Sequence, residues 1–206
     1  MRIRYLEPRS YNRSDRVELF MRLWDSPLSE EEMKRLGAAA PITQMRSDFG
    51  NLNNTGTPFP SASCLASRFH PDFVSVIEPG VHDFLLAIAI DHNLVTYTSC
   101  EGHDYRAKKR EPDERHVGVI LRDRDEELRA IATFEDVGTD VNRTLPESAV
   151  EVALMFHSVS DGDLIYPALD LYLSKKQLAE WDEYFAQIDT VSEHLVKRLN
   201  EANPIA

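Results

Sequence analysis

Cys100, Glu101, Gly102 and His103 stand consecutively behind the apolar, β-branched run Leu94-Val95-Thr96-Tyr97-Thr98-Ser99. A thiol, a carboxylate and an imidazole so close together suit three chemistries. As a nucleophile, Cys100 would react as its thiolate, assisted by His103 and the cations that follow. As ligands, Cys100 and His103 supply the sulfur and nitrogen of half a zinc site. Remote residues such as His116, His157 or Asp161 would have to complete it, with Glu101 as the base that activates water. As proton acceptors, Glu101 or His103 can serve a group transfer to a nitrogen. In that case Thr98 and Ser99 donate hydrogen bonds to a cofactor, and Gly102 lets it approach closely. Cys100, Glu101 and His103 are therefore the candidate catalytic residues, and Thr98, Ser99 and Gly102 the candidate cofactor-binding ones. Each also has a plain structural reading: a small buried thiol, a surface charge, a turn glycine and a turn-capping ring.

Arg106, Lys108, Lys109, Arg110 and Arg115 follow at once, five of the chain's 23 basic residues within ten positions. Arg106, Lys109 and Arg110 suit a clamp for phosphate or carboxylate. The plain alternative is a solvated loop balanced by Glu111, Asp113 and Glu114. His157, between the apolar run Val152–Phe156 and a Ser/Asp-rich stretch, is the distant residue best placed to join the substrate side, and His116 is next. His82 and His92 flank an apolar segment and read as end contacts. Cys64 reads as buried structure.

These residues need a frame. The β-branched run predicts a strand from Leu94, and Val117–Leu121, Val150–Phe156 and Ile165–Leu173 predict three more. Ser158 to Asp163 carries hairpin-loop chemistry. Val81, Phe84, Leu85 and Ile88 share a helical stripe whose other faces are also apolar, so a buried helix precedes the first of these strands. Asp125–Phe134 predicts another helix. A last helix, capped by Ser174, carries Leu178, Trp181, Tyr184, Phe185, Ile188, Val191, Leu195 and Leu199 at helical spacing. Towards the N-terminus, Ser14 to Asp25 and Ser29 to Gly37 predict a helical pair. The Pro, Thr, Asn, Gly and Ser of residues 38–63 predict a long loop with turns.

The expected architecture is α/β (α+β), a small mixed or antiparallel sheet covered by helices, with an N-terminal helical segment over 1–63 and the core domain over 64–206. The 206 residues, 42% of them hydrophobic, suffice for one sizeable core. A net charge of −12 argues against an extended grip on nucleic acid. A membrane span is not expected, since the longest apolar stretch, Phe84–Ile90, is far short of ~20 residues. The N-terminus lacks a secretion signal and only two cysteines are present, so a cytoplasmic protein without a disulfide framework is expected. The final apolar stripe serves a homodimer as readily as a core.

Glu78-Pro79-Gly80, the apolar helix, the strand and Ser99-Cys100-Glu101-Gly102-His103 together resemble the core of the tRNA wybutosine-synthesis methyltransferase family. There a helix feeds a Thr/Ser-rich strand that ends in a Ser-Cys-small-Gly-basic signature. The resemblance implies S-adenosylmethionine as cofactor and methyl transfer to a modified guanosine, carried over here to Thr96, Thr98, Ser99, Cys100, Gly102 and His103. It covers about thirty residues. Glu101 stands where the family has a small polar residue and His103 where it has arginine, so the charge and reach of the site differ. A similar Ser-Cys-Glu-Gly-His segment in small bacterial and phage proteins implies no activity. The expected function is binding of a nucleotide-like molecule or a short RNA end at this turn, with methyl transfer as the leading reaction. A metal-dependent or cysteine-based hydrolase and a non-catalytic binding protein are the alternatives.

Overall fold

The computed structural model describes residues 77–161 and 163–205 without a break. Before them it describes residues 1–5, 9–10, 17–25, 29, 31, 45–47, 50–52, 68–69 and 73–74. Its centre is one mixed sheet. Two twelve-residue strands, β7 (Val150–Asp161) and β8 (Leu164–Lys175), form a hairpin. β6 (Arg115–Ile120) pairs antiparallel with β8, and β5 (Val95–Cys100) closes that edge against β6. At the other edge β1 (Arg2–Tyr5) and then β2 (Arg9–Ser10) run parallel to β7.

Alternation along the strands sends one set of side chains under the helices. Val117 and Val119 of β6, Leu169, Leu171 and Leu173 of β8, and Val152 and Leu154 of β7 are all buried. They meet α3 (Arg124–Thr144) and α4 (Trp181–Glu201), which bury Ala130, Phe134, Val137 and Val141, and Tyr184, Ile188, Val191, Leu195 and Leu199, at three- and four-residue spacing. Each large apolar side chain so covered stabilises the fold by roughly 1.5–3 kcal/mol. Five of the eight residues of the final stripe thus lie in the chain's own core, Trp181 and Phe185 are partly buried against it, and Leu178 precedes the helix and is exposed. α3 begins where Asp123 accepts a hydrogen bond from the Glu126 N–H at 2.8 Å.

α2 (His82–Leu86) follows a short 3-10 turn at Pro79–Val81 and widens into a π-type turn over Ala87–Asp91. The wide turn swings the chain back, and the Leu94 N–H bonds the Ile88 carbonyl at 3.1 Å as β5 begins. Phe84, Leu85 and Ile88 are buried as their stripe predicts, while Ile90 is exposed. The buried His92 is an end contact, its Nε2 3.0 Å from the Leu199 carbonyl.

Several expectations change. Ser174 does not cap the final helix: it belongs to β8, and its hydroxyl donates to Glu114 Oε2 at 2.9 Å. The helix starts seven residues later, where the Glu180 N–H donates to Glu183 Oε2 at 3.0 Å. Ser158 to Asp161 extend β7 instead of forming a loop, because β8 supplies a partner for every one of them. α3 runs past Phe134 to Thr144, its Gly138 lying so close to β7 that a Cβ there would meet Val152 Cγ1 at 2.9 Å. α1 (Val17–Trp24) falls inside the first expected N-terminal helix. The second expected helix lies outside the described residues except for positions 29 and 31. Where a loop is expected, β3 (Met45–Ser47) pairs with β4 (Gly50–Leu52); the rest of 38–63, and Cys64, lie outside the described residues. Among the described residues no helix is long and apolar enough to cross a membrane.

Candidate functional site

β5 delivers Cys100 to the end of the sheet, opposite His116 of β6, and the chain then turns through Gly102 at φ +85°. That left-handed conformation suits glycine. It aims the Gly102 N–H at Cys100 Sγ, 3.4 Å away. Two backbone bonds between His103 and Asp113, of 3.0 and 2.9 Å, then close the loop that holds the basic cluster.

Glu78, just before α2, completes the turn. Its Oε2 accepts the Glu101 N–H at 2.9 Å, and its Oε1 lies 3.1 Å from His103 Nε2. Glu78, Cys100 and His103 thereby bring one oxygen, one sulfur and one nitrogen within 4.8 Å of one another. Glu101 lies alongside: its Oε2 accepts the Gly80 N–H at 2.8 Å, and its Oε1 is 4.0 Å from His103 Nδ1. The Glu101 carbonyl accepts from Arg115 Nε at 2.9 Å, and Arg115 Nη2 reaches Asp189 at 2.8 Å. A Cβ at Gly80 would press on Arg115 Nη2 at 2.9 Å and on Glu101 Cβ and Oε2 at 3.0 Å, so these side chains would have to shift.

Burial works against charge on His103, but its hydrogen bonds with Cys100 and Glu78, together with their charges, outweigh burial and raise it from 6.5 to about 10. Tyr105 stacks on His103 at 5.4 Å between centroids. Burial first, then Asp113, push its phenol up to about 12.

A second polar cluster shares the Cys100 face of the sheet. A register shift between Thr96 and Thr98 makes Tyr97 the extra residue of a bulge. Its hydroxyl donates to Asp170 Oδ1 at 2.9 Å and lies 2.9 Å from His157 Nε2, which is itself 2.9 Å from Asp170 Oδ1. The side chains of His157 and Asp170 are fully buried. Gly118, opposite both Thr98 and Asp170, leaves the space they fill.

The structure thus gathers Cys100, Glu101, Gly102 and His103 as the spacing suggests, and puts Glu78 where His116, His157 or Asp161 is expected. Thr98 faces the Cys100 side of the sheet, whereas Ser99 faces the helices, its hydroxyl buried with no hydrogen-bond partner. The two do not converge on one ligand. Arg106 is held by Asp104 at 2.6 Å and Asp182 at 2.5 Å, while Lys109 and Arg110 are exposed. His157 joins the Tyr97–Asp170 cluster and not the Cys100 turn. Glu78, Tyr97 and Asp170 go unrecognised as site residues in the sequence, and Arg115 is read there only as part of the basic cluster; the Glu-Pro-Gly step before an apolar helix is the one signal that marks Glu78.

Comparisons with protein-family models, curated proteins and solved structures return no match.

Proposed function

We propose that Glu78, Cys100 and His103 hold a divalent metal ion of the zinc class, and that the protein is a metal-dependent hydrolase. The carrying observation is the convergence of a carboxylate, a thiol and an imidazole within 4.8 Å. Sulfur, nitrogen and oxygen donors together suit zinc, and three protein ligands leave a position for water. The neighbours support this reading. The Gly102 N–H on Sγ steadies negative charge on sulfur, and Glu101 beside Nδ1 orients the ring so that Nε2 meets the ion. A zinc ion held by Glu78, Cys100 and His103 would supply a water able to act as nucleophile near neutral pH, for attack on a carbon or phosphorus whose bond to the leaving group breaks, the leaving group taking the electron pair. Methyl transfer from S-adenosylmethionine, implied by the family resemblance, needs no such donor set and gives Glu78 no task.

A second reading rests on the closeness of the His103 imidazole to the Cys100 sulfur, within 4.8 Å. Nucleophile, base and orienting carboxylate occur in that order as Cys100, His103 and Glu78. Metal analysis of the purified full chain separates the two. The metal centre requires about one zinc per chain, a cobalt derivative with a sulfur-to-metal charge-transfer band, and loss of both in Cys100→Ser and Glu78→Gln. Absence of metal and of the cobalt band, with Cys100 rapidly alkylated at neutral pH, overturns it in favour of the thiol.

A further inference from the structure

We infer that the substrate of this centre carries an oxyanion, phosphate or carboxylate, next to the bond that is cleaved, and that Lys109 and Arg110 hold that charge. The inference rests on the metal-centre reading and adds the substrate class. Its basis is the disposition of the cations around His103. Arg115 is committed to Asp189 and the Glu101 carbonyl, Arg106 is committed to Asp104 and Asp182, and Lys108 also has a partner. Lys109 and Arg110 are exposed and form no ion pair among the described residues, even though Glu111 and Asp113 flank them in the loop. In a chain of net charge −12, Lys109 and Arg110 are thus two uncommitted cations on the loop that begins at His103.

Their position is built. The loop is pinned at its base by the His103–Asp113 backbone pair and on one side by Arg106, which ties it to the first turn of α4 through Asp182. Tyr105, 5% exposed, stacks on the His103 ring, and the Arg110 guanidinium lies over the same Tyr105 ring, 4.8 Å from its centroid. The Lys108 and Arg110 N–H groups both bond the Tyr105 carbonyl, at 2.8 and 3.2 Å, and Lys109 takes the left-handed φ of +56° that the tight turn requires. One ring therefore contacts both a residue of the proposed metal centre and a cation with donors to spare. A guanidinium so held is a fork for an oxyanion.

The test uses the zinc-loaded full chain with bis(4-nitrophenyl) phosphate, an anion, and 4-nitrophenyl acetate, which is neutral. In both, water oxygen bonds phosphorus or carbon and 4-nitrophenolate leaves with the electron pair. Arg110→Ala lowers the ratio of kcat/KM for the anionic over the neutral substrate about tenfold, the scale of one charge-assisted hydrogen bond. Arg110→Lys restores part of the ratio, and Lys109→Ala lowers it in the same direction. Inorganic phosphate inhibits ester hydrolysis and loses potency in Arg110→Ala. Lys197→Ala, an exposed cation on α4, leaves the ratio unchanged. An unchanged ratio in the Lys109 and Arg110 variants, or turnover of the neutral ester alone, overturns the assignment while the metal centre stands. A chain that holds no zinc fails earlier, at metal analysis, and that outcome removes both.

Discussion

His103 Nε2 lies 3.1 Å from Glu78 Oε1, so residues 25 positions apart meet at the end of β5 beside Cys100. In the metal-free chain burial disfavours the imidazolium, yet Cys100 and Glu78 together hold His103 protonated to about 10. A metal ligand must be neutral, so binding has to displace that proton. Zinc binding at neutral pH therefore releases a proton from His103 besides any from Cys100, and the apparent affinity rises with pH. Calorimetry in buffers of different ionisation enthalpy reads the release. A binding enthalpy identical in all buffers would show that the ring is not a ligand.

The same relationship makes the stability of the metal-free protein depend on pH. His103 has a folded-state value of about 10 against 6.5 when unexposed to its partners, so it is raised on folding. Its contribution is complete below about 6.5 and disappears as pH rises through about 10. Urea denaturation of metal-free protein should show stability falling across that window. Glu78→Gln, which keeps the shape and removes the charge, should flatten the fall. A wild-type curve already flat over this range would contradict the ion-paired His103.

Gly118 is the residue on which the second cluster depends. A Cβ at this position would overlap Asp170 Oδ1 and lie 2.6 Å from Thr98 Cγ2 and 2.8 Å from Tyr97 Cε1. None of these atoms is the free end of an exposed side chain. Gly118→Ala should therefore destabilise the protein by about 1–3 kcal/mol, the usual scale of overpacking. Tyr97→Phe, which removes the hydroxyl that donates to buried Asp170, should also destabilise by about 1–3 kcal/mol. Thermal denaturation monitored by circular dichroism measures both, and a neutral Gly118→Ala would show that the bulge can shift without cost.

What the sequence reveals here follows from range. The Cys-Glu-Gly-His turn is legible because its members are adjacent, and β5 to β8 are legible because β-branched and apolar residues fill their centres. Strand ends are not, because Ser158 to Asp161 become strand only through pairing with β8. Ser174 looks like a cap until Glu114, distant in sequence, accepts its hydroxyl. Glu78 meets Cys100 and His103 only because α2 and its wide turn fold back along β5, a tertiary fact that no local pattern carries. His157 shows the converse: a histidine beside an apolar run draws attention, yet the sheet register commits it to Tyr97 and Asp170.

Gly102 joins the backbone conformation to the chemistry of the turn. At φ +85° an alanine is strained, and its Cβ would meet two backbone atoms, the Arg115 nitrogen at 3.2 Å and the Asp113 oxygen at 3.3 Å. Neither can yield without disturbing the His103–Asp113 pair that closes the loop. Gly102→Ala should therefore cost about 1–2 kcal/mol of stability from the left-handed conformation alone. It should also draw the residue 102 N–H away from Cys100 Sγ, so zinc affinity falls by more than the loss of stability accounts for. Urea denaturation of the metal-free variant gives the first quantity and competition with a chromogenic chelator the second. A variant that is destabilised but binds zinc with wild-type affinity would confine Gly102 to the backbone and leave the thiolate without its donor's influence.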